Sequence, residues 1–137
     1  MSFLLVGAGG LLGAMLRYQV GLWIAAGNRF SEYLPAGLPL ATLLVIVAGS
    51  FVIGAIFGLF SASPGGMPPD PLRLLFVTGF LGAFTTFSAF SIETLQLVQQ
   101  GNVWLALLNV MLNMALCLLA VVIGFILGGQ VQSWFAA

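Results

Sequence analysis

The sequence predicts an all-α integral membrane protein in which four helices span the bilayer. Of its 137 residues, 61% are hydrophobic and only 4% are charged, whereas soluble domains contain about 25% charged residues. The apolar residues also form four long runs, and a helical run of about 20 apolar residues is long enough to cross the hydrocarbon core. Because lipid offers no hydrogen-bond partners to the backbone, each run is expected to be helical.

The four predicted spans form a single transmembrane domain. They cover residues 3–26, 38–60, 72–98 and 103–127. The first span contains Arg17, the third contains Glu93 near its end, and the second and fourth carry no charge. The chain has no His and one Cys, which excludes a structural zinc site or a disulfide framework. With no soluble domain left over, an enzyme is not expected.

Charged residues are few enough to predict how the chain inserts into the bilayer. They are Arg17, Arg29, Glu32, Asp70, Arg73 and Glu93. No basic run is present, so nucleic acid is not an expected partner. Lys and Arg favour the cytoplasmic side, but Arg29 and Arg73 border connections on opposite sides of the membrane. Without a charge bias the chain is expected to insert in both directions, which leads to antiparallel dimers.

The third span contains an unusual cluster of hydroxyl and aromatic side chains. The stretch GFLGAFTTFSAFSIE holds Thr85, Thr86, Ser88 and Ser91, together with Phe84, Phe87 and Phe90. One or two such hydroxyls would be explained by bonds to the preceding turn or to a neighbouring helix. Four of them within seven residues favour the lining of a pore or cavity. Hydroxyls donate hydrogen bonds to anions and phenyl rings have electropositive edges, so the pattern favours an anion or a neutral solute.

Arg17 has two possible roles within the first span. An arginine at the bilayer centre costs at least about 2.5–3.5 kcal/mol. Its side chain can reach the interface while its stem stays in the apolar region, or it can face a water-filled cavity and hold anions there. The sequence leaves both interpretations open.

Three stretches of the sequence resemble the small fluoride channels called Fluc or CrcB. They are GGLLGAMLRY in the first span, ATLLVIVAGSFVIG in the second and GFLGAFTTFSAFSIE in the third. The resemblance covers most of the chain. It implies an antiparallel, dual-topology homodimer in the inner (plasma) membrane of the cell, with two pores through which cytoplasmic fluoride leaves passively.

The resemblance also implies roles for residues around the hydroxyl cluster. Phe87 and Phe90 match the pore phenylalanines whose ring edges meet fluoride. Three hydroxyl residues match the track along the pore: Thr86, Ser88 and Ser91.

Further matches concern the ends of this segment and the first span. Gly82 and Thr85 match a break in the third helix, where backbone carbonyls hold a structural sodium ion at the dimer interface. Arg17 matches an arginine near the aqueous vestibule, and Glu93 matches the carboxylate that follows the serines.

The chain departs from the family pattern in the second and fourth spans. Ile46 stands where the family has a pore asparagine, while Asn109 and Asn113 stand at positions commonly occupied by Tyr and Ser. The two asparagines are four residues apart and share a helix face, so they are candidate pore residues that compensate for Ile46. An engineered replacement, or one subunit of a heterodimer with one impaired pore, would also explain Ile46.

A fluoride-selective channel is therefore the predicted function, with two alternatives. One is a small dimeric exporter of the multidrug type, which is also four-span and antiparallel. That class needs a carboxylate in the first span, where this chain has Arg17. The other is a partner or scaffold that transports nothing.

Overall fold

The computed structural model describes residues 1–26 and 37–136, and within these residues it is helical apart from short connections. The helices are α1 (Ser2–Ala26), α2 (Leu40–Leu59), α3 (70–84), α4 (Phe87–Gln99) and α5 (Val103–Ala136). Four segments are long and apolar enough to cross a membrane, and α3 and α4 together make the third of them. The prediction of four membrane-spanning helical segments is confirmed. The first predicted connection, with Arg29 and Glu32, lies outside the described residues.

Helices α2 and α5 pack side by side through glycines. A Cβ atom at Gly54 would collide with the carbonyl of Val121, and one at Gly124 would collide with the carbonyl of Phe51. Gly58 and Gly128 are equally close to the facing backbone. In lipid, where apolar side chains gain little by leaving the solvent, such close backbone approach is the main source of helix association.

Helix α5 continues beyond the predicted span, which ends at residue 127. Its 34 residues correspond to about 50 Å at 1.5 Å per residue, more than the roughly 30 Å of a hydrocarbon core. Gly128 does not end the helix because it packs against the backbone of α2. Further along, Gln132 Oε1 accepts hydrogen bonds from Ser61 Oγ (3.0 Å) and from the backbone N–H of Ala62 (3.3 Å). The end of α5 therefore holds the connection that follows α2.

Helix α1 packs against α3 in the same way. Gly9 and Gly13 face the carbonyls of Leu75 and Phe80, with no room for a side chain. Much of α3, Arg73–Leu81, has the wider hydrogen-bonding pattern of a π-helix, a form that is rare and often found at functional sites.

The third span is interrupted between α3 and α4, one residue further along than the family resemblance implies, because Gly82 is still helical (φ −61°, ψ −34°). Thr85 (φ −83°, ψ 138°) and Thr86 (φ −141°, ψ 107°) are both extended. The backbone N–H and the hydroxyl of Thr85 both donate to the carbonyl of Leu81, each at 2.9 Å. Two extended residues end the i to i+4 ladder of α3, so its last carbonyls have no partner within the helix.

The close contact at Gly13 predicts a position-specific effect on stability. We expect Gly13→Ala to lower the unfolding temperature of the purified protein in detergent, because the added methyl group meets the carbonyl of Phe80 and overpacking costs about 1–3 kcal/mol. Gly7→Ala in the same helix is the matched control, since nothing lies within 4 Å of a Cβ there. Alanine is the better helix former, so the control is expected to be neutral or stabilising. Equal destabilisation by both changes would contradict the packing role of Gly13.

Candidate functional site

A cavity of about 270 Å³ lies beside the break in the third span, between α1, α2 and α4. We call it the inner cavity. It is lined by Arg17, Gly21, Ala41, Thr42, Val45, Ile46, Thr86, Ala89 and Glu93. Four residues singled out in the sequence, from three different spans, therefore meet here: Arg17, Ile46, Thr86 and Glu93.

Arg17 points into the inner cavity. Its Nη1 atom donates a hydrogen bond to the hydroxyl of Thr86, at the break. The side chain is half-buried and bonded to the third span, so it is held inside the protein. Of the two interpretations left open by the sequence, the structure supports the cavity. A guanidinium has five N–H donors, so the group that binds Thr86 can also bind an anion.

Glu93 lies at the end of the inner cavity away from Thr86. Its Oε1 atom accepts a hydrogen bond from the hydroxyl of Thr42 on α2, at 2.7 Å. Its Oε2 atom is buried and has no hydrogen-bond partner among the residues that the structure describes. A buried oxygen of this kind requires a donor, such as a water molecule. Glu93 therefore joins α4 to α2 and keeps one oxygen available.

Asn109 and Asn113 form a separate polar cluster on α5, which Asn109 joins to α4. They are only 1% and 6% exposed, and Asn113 Nδ2 donates to the backbone carbonyl of Asn109 (2.9 Å) and to its Oδ1 (3.0 Å). Asn109 Nδ2 donates to Thr94 Oγ1 (2.9 Å), which in turn donates to the carbonyl of Phe90 (2.7 Å). Neither asparagine is among the residues that line the inner cavity. Their membership of a pore stays a prediction.

The aromatic and hydroxyl residues of α4 are divided between two faces. Phe87 is 73% exposed and Phe90 only 7%, and their rings are tilted at 49° with centroids 5.2 Å apart. Ser88 and Ser91 are exposed, and Ser91 donates to the carbonyl of Phe87 at 2.8 Å. Thr86 faces the inner cavity, whereas Phe87, Ser88 and Ser91 face away from the protomer. We call these last three residues the outer face of α4.

The break leaves backbone carbonyl oxygens near Gly82 and Thr85, and their fit to a cation follows from their chemistry. Gly82 is exposed and Thr85 half-buried, and the end of α3 leaves carbonyl oxygens without helical partners. Unwound backbone carbonyls are ligands that membrane proteins use for sodium. No group of three or more His, Cys, Asp or Glu residues could hold a metal ion in the described part of the chain. The donor set at the break therefore fits an alkali cation bound by backbone oxygens.

Two polar residues of the site were not among those predicted from the sequence. Thr42 holds Glu93, and Thr94 links Asn109 to Phe90. Both stand four residues from a predicted site residue, Thr42 before Ile46 and Thr94 after Phe90. That spacing places side chains on one helix face, and it is the sequence signal that identifies them.

The fold and the site define a small integral membrane protein with four helical spans, an interrupted third span and a polar cavity beside the interruption. Residues 4–125 match the family described as CrcB-like protein, Camphor Resistance (CrcB), and the chain belongs to that family. The resemblance predicted from the sequence is confirmed.

Curated relatives share this length and much of the sequence. Over 124 residues, covering 90% of both proteins, the chain is 46% identical to a protein of Elusimicrobium minutum named "Fluoride-specific ion channel FluC". Relatives with the same name occur in Campylobacter jejuni, at 44% identity over 92% of this chain and 96% of the relative, and in Shewanella amazonensis, at 47% over 90% and 92%.

Proposed function

We propose that this protein is a fluoride-selective channel that lets cytoplasmic fluoride leave the cell by passive electrodiffusion across the inner (plasma) membrane. The observation that carries the proposal is the inner cavity, in which Arg17 and Thr86 present hydrogen-bond donors within the membrane-spanning part of the chain. The names of the relatives, fluoride-specific ion channels, agree with it.

Fluoride is small and strongly hydrated, so a channel must replace its water shell with other donors. A guanidinium only donates hydrogen bonds, and a hydroxyl both donates and accepts them. Hydrogen bonds from a charged donor are roughly twice as strong as those from a neutral donor. In the proposed channel, Arg17 attracts the anion into the inner cavity, which acts as a vestibule. From Thr86 the ion passes to the phenyl edges of Phe87 and Phe90, whose positive rims suit an anion.

The outer face of α4 supports assembly with a second copy. Phe87, Ser88 and Ser91 are exposed in a helix that lies within the membrane. The Ser91 hydroxyl donates to the carbonyl of Phe87, whereas the Ser88 hydroxyl has no such bond among the described residues, and a hydroxyl without a partner in lipid is costly. In the proposed antiparallel homodimer, these residues line two pores between the copies. The pores are completed from both sides because each copy presents the same outer face in the opposite direction.

The same interface would hold the structural sodium ion. The carbonyls of Gly82 and Thr85 would bind it, since they lie where α3 ends and Gly82 is exposed. A bound sodium ion would supply a fixed positive charge that holds the interrupted helices together. The residues of the chain itself keep the carbonyls in place: Thr85 is fixed by its two bonds to Leu81.

One observation supports a second candidate, a pore-impaired subunit of a heterodimeric fluoride channel. Ile46 lines the inner cavity with an apolar side chain, at the position where the family pattern has an amide. The contacts Gly54 to Val121 and Gly58 to Phe125 set the register of α2 against α5. About two turns earlier in both helices, the same register places Asn113 level with Ile46. Asn113 is nevertheless not part of the cavity lining.

The proposal is tested by anion release from liposomes that contain the purified protein. We expect fluoride release at least about tenfold faster than chloride release, since a preference of about 1.4 kcal/mol already gives that factor. Protein-free liposomes are the control. Equal release of both ions, or release of neither, would contradict the channel. Exchange of a cationic drug for protons would instead support the multidrug-type exporter.

A further inference from the structure

One face of α4 carries a regular stripe of residues from the break to the end of the helix. The stripe consists of Thr86, Ala89, Glu93, Gln96 and Gln100. Ala89, Glu93 and Gln96 are three or four residues apart, which places them on one face of α4. Thr86 and Gln100 cap the two ends of the helix. At 1.5 Å per residue the stripe is about 20 Å long, two-thirds of the thickness of a hydrocarbon core.

The stripe lines two cavities in succession. Its first three members line the inner cavity. Its last three line a second cavity of about 100 Å³, which we call the outer cavity and which Gly37, Pro39 and Leu97 complete. Glu93 belongs to both cavities, so it is the only described side chain of α4 that separates them.

The outer cavity lies where the chain leaves the membrane-spanning region. Helix α4 ends at Gln99, and Gly101, at a positive φ of 80°, turns the chain towards α5. Gln96 and Gln100 are both exposed. The outer cavity thus connects the level of Glu93 to the end of the span.

Glu93 lies between the two cavities with only one of its carboxylate oxygens hydrogen-bonded in the described residues. Thr42 occupies one carboxylate oxygen at 2.7 Å, and the other is buried without a hydrogen-bond partner in the described residues. The free oxygen requires a donor, and the two cavities on either side of Glu93 supply space for one.

We propose that Gln96 and Gln100 form the aqueous mouth of the ion pathway, a weak anion-binding site from which fluoride passes Glu93 into the inner cavity. This inference rests on the proposed channel function and extends its path to the membrane surface. A Gln amide offers two N–H donors to an anion and a carbonyl to the water that accompanies it. The amides carry no charge, so they bind a small anion weakly enough to release it, as conduction requires. They also provide donors in front of the Glu93 carboxylate, which alone would repel an anion.

The first test replaces the two amides by an apolar side chain of similar size. Gln96→Leu and Gln100→Leu are each expected to reduce initial fluoride release from liposomes by about tenfold, because each removes donors that replace the water shell. Gln99→Leu is the matched control: Gln99 is also exposed on α4, but it lies off the stripe and lines neither cavity. The control is expected to release fluoride at the unsubstituted rate.

The second test acts on folded protein and does not depend on how well the leucine variants assemble. Gln96→Cys, Gln100→Cys and Gln99→Cys are prepared in a chain with Cys117→Ala, so that each protein has one thiol. After reconstitution, an impermeant, negatively charged thiol reagent is supplied on both sides of the liposome membrane, because an antiparallel dimer presents one mouth to each side. We expect modification at positions 96 and 100 to block fluoride release, and modification at position 99 to leave it unchanged.

The outcomes separate this inference from the channel proposal. If the unsubstituted protein releases fluoride but changes at Gln96 and Gln100 have no more effect than those at Gln99, the proposed mouth is overturned. The proposed channel function is then unaffected. If the unsubstituted protein releases no fluoride, the channel proposal and the mouth are both overturned. Loss of release at positions 96 and 100 alone, by substitution and by modification, supports the mouth.

Discussion

Replacing Phe90 or Phe87 with isoleucine is expected to reduce fluoride release by at least about tenfold, while the protein keeps its oligomeric state. Isoleucine preserves an apolar side chain of roughly similar bulk, and such swaps usually cost less than about 1.5 kcal/mol of stability. It lacks the electropositive ring edge of phenylalanine. A loss of about 1.4 kcal/mol of stabilisation for the passing ion corresponds to a tenfold lower rate. Release is measured with a fluoride electrode and oligomeric state by size-exclusion chromatography.

Phe84 provides the control for this experiment. It is buried like Phe90, at 8% exposure against 7%, and its ring stacks on that of Phe80 with centroids 5.8 Å apart. Because Phe84 lies on the other side of the break, Phe84→Ile should affect stability and leave release per folded protein nearly unchanged. Equal loss of release in Phe84→Ile and Phe90→Ile would show that the rings serve packing alone.

The second large effect is expected from Ile46→Asn. Ile46 lines the inner cavity together with Arg17 and Thr86, and an amide there would add two N–H donors where the anion has to leave its water. One hydrogen bond contributes about 0.5–1.5 kcal/mol, so we expect fluoride release to rise by up to about tenfold. The measurement is the initial rate of release per reconstituted protein.

Ile53→Asn places the same side chain on α2 outside the inner cavity and should not raise release. An unchanged rate in Ile46→Asn would contradict the expectation. It would favour compensation by Asn109 and Asn113, the alternative that the sequence leaves open. In the structure Asn109 Nδ2 donates to Thr94 on α4, Asn113 Nδ2 donates to Asn109 within α5, and neither residue lines the inner cavity.

Some features of the site follow from local sequence alone. The break at Thr85 and Thr86 falls within GFLGAFTTFSAFSIE, the stretch whose family resemblance implies a break. Other features depend on distant partners. The bond between Arg17 and Thr86 joins residues 69 positions apart, and nothing in the sequence around Arg17 distinguishes a cavity from an interface.

The division of α4 into faces is the clearest example of a feature that only the tertiary structure shows. Within seven residues the sequence has four hydroxyls, and their density predicts that they line one pore or cavity. In the structure Thr86 faces the inner cavity, Thr85 bonds back to Leu81, and Ser88 and Ser91 are exposed. The extended residues at the break shift the rotation of α4 relative to α3, so spacing counted through the break does not predict which side chains meet.

The amino-acid sequence by itself determined the class of this protein, its four spans, its family and, through the family resemblance, the approximate place of the interruption in the third span. Each of these depends on the hydrophobicity, length or motif of a continuous stretch, and the bilayer permits few structures for such stretches. Only the tertiary structure decided that Arg17 lies in a cavity with Thr86, Ile46 and Glu93, and that Asn109 and Asn113 do not line it. The reason is that a site between helices depends on their rotation and register, which here are determined by close backbone contacts such as that of Gly54 with Val121.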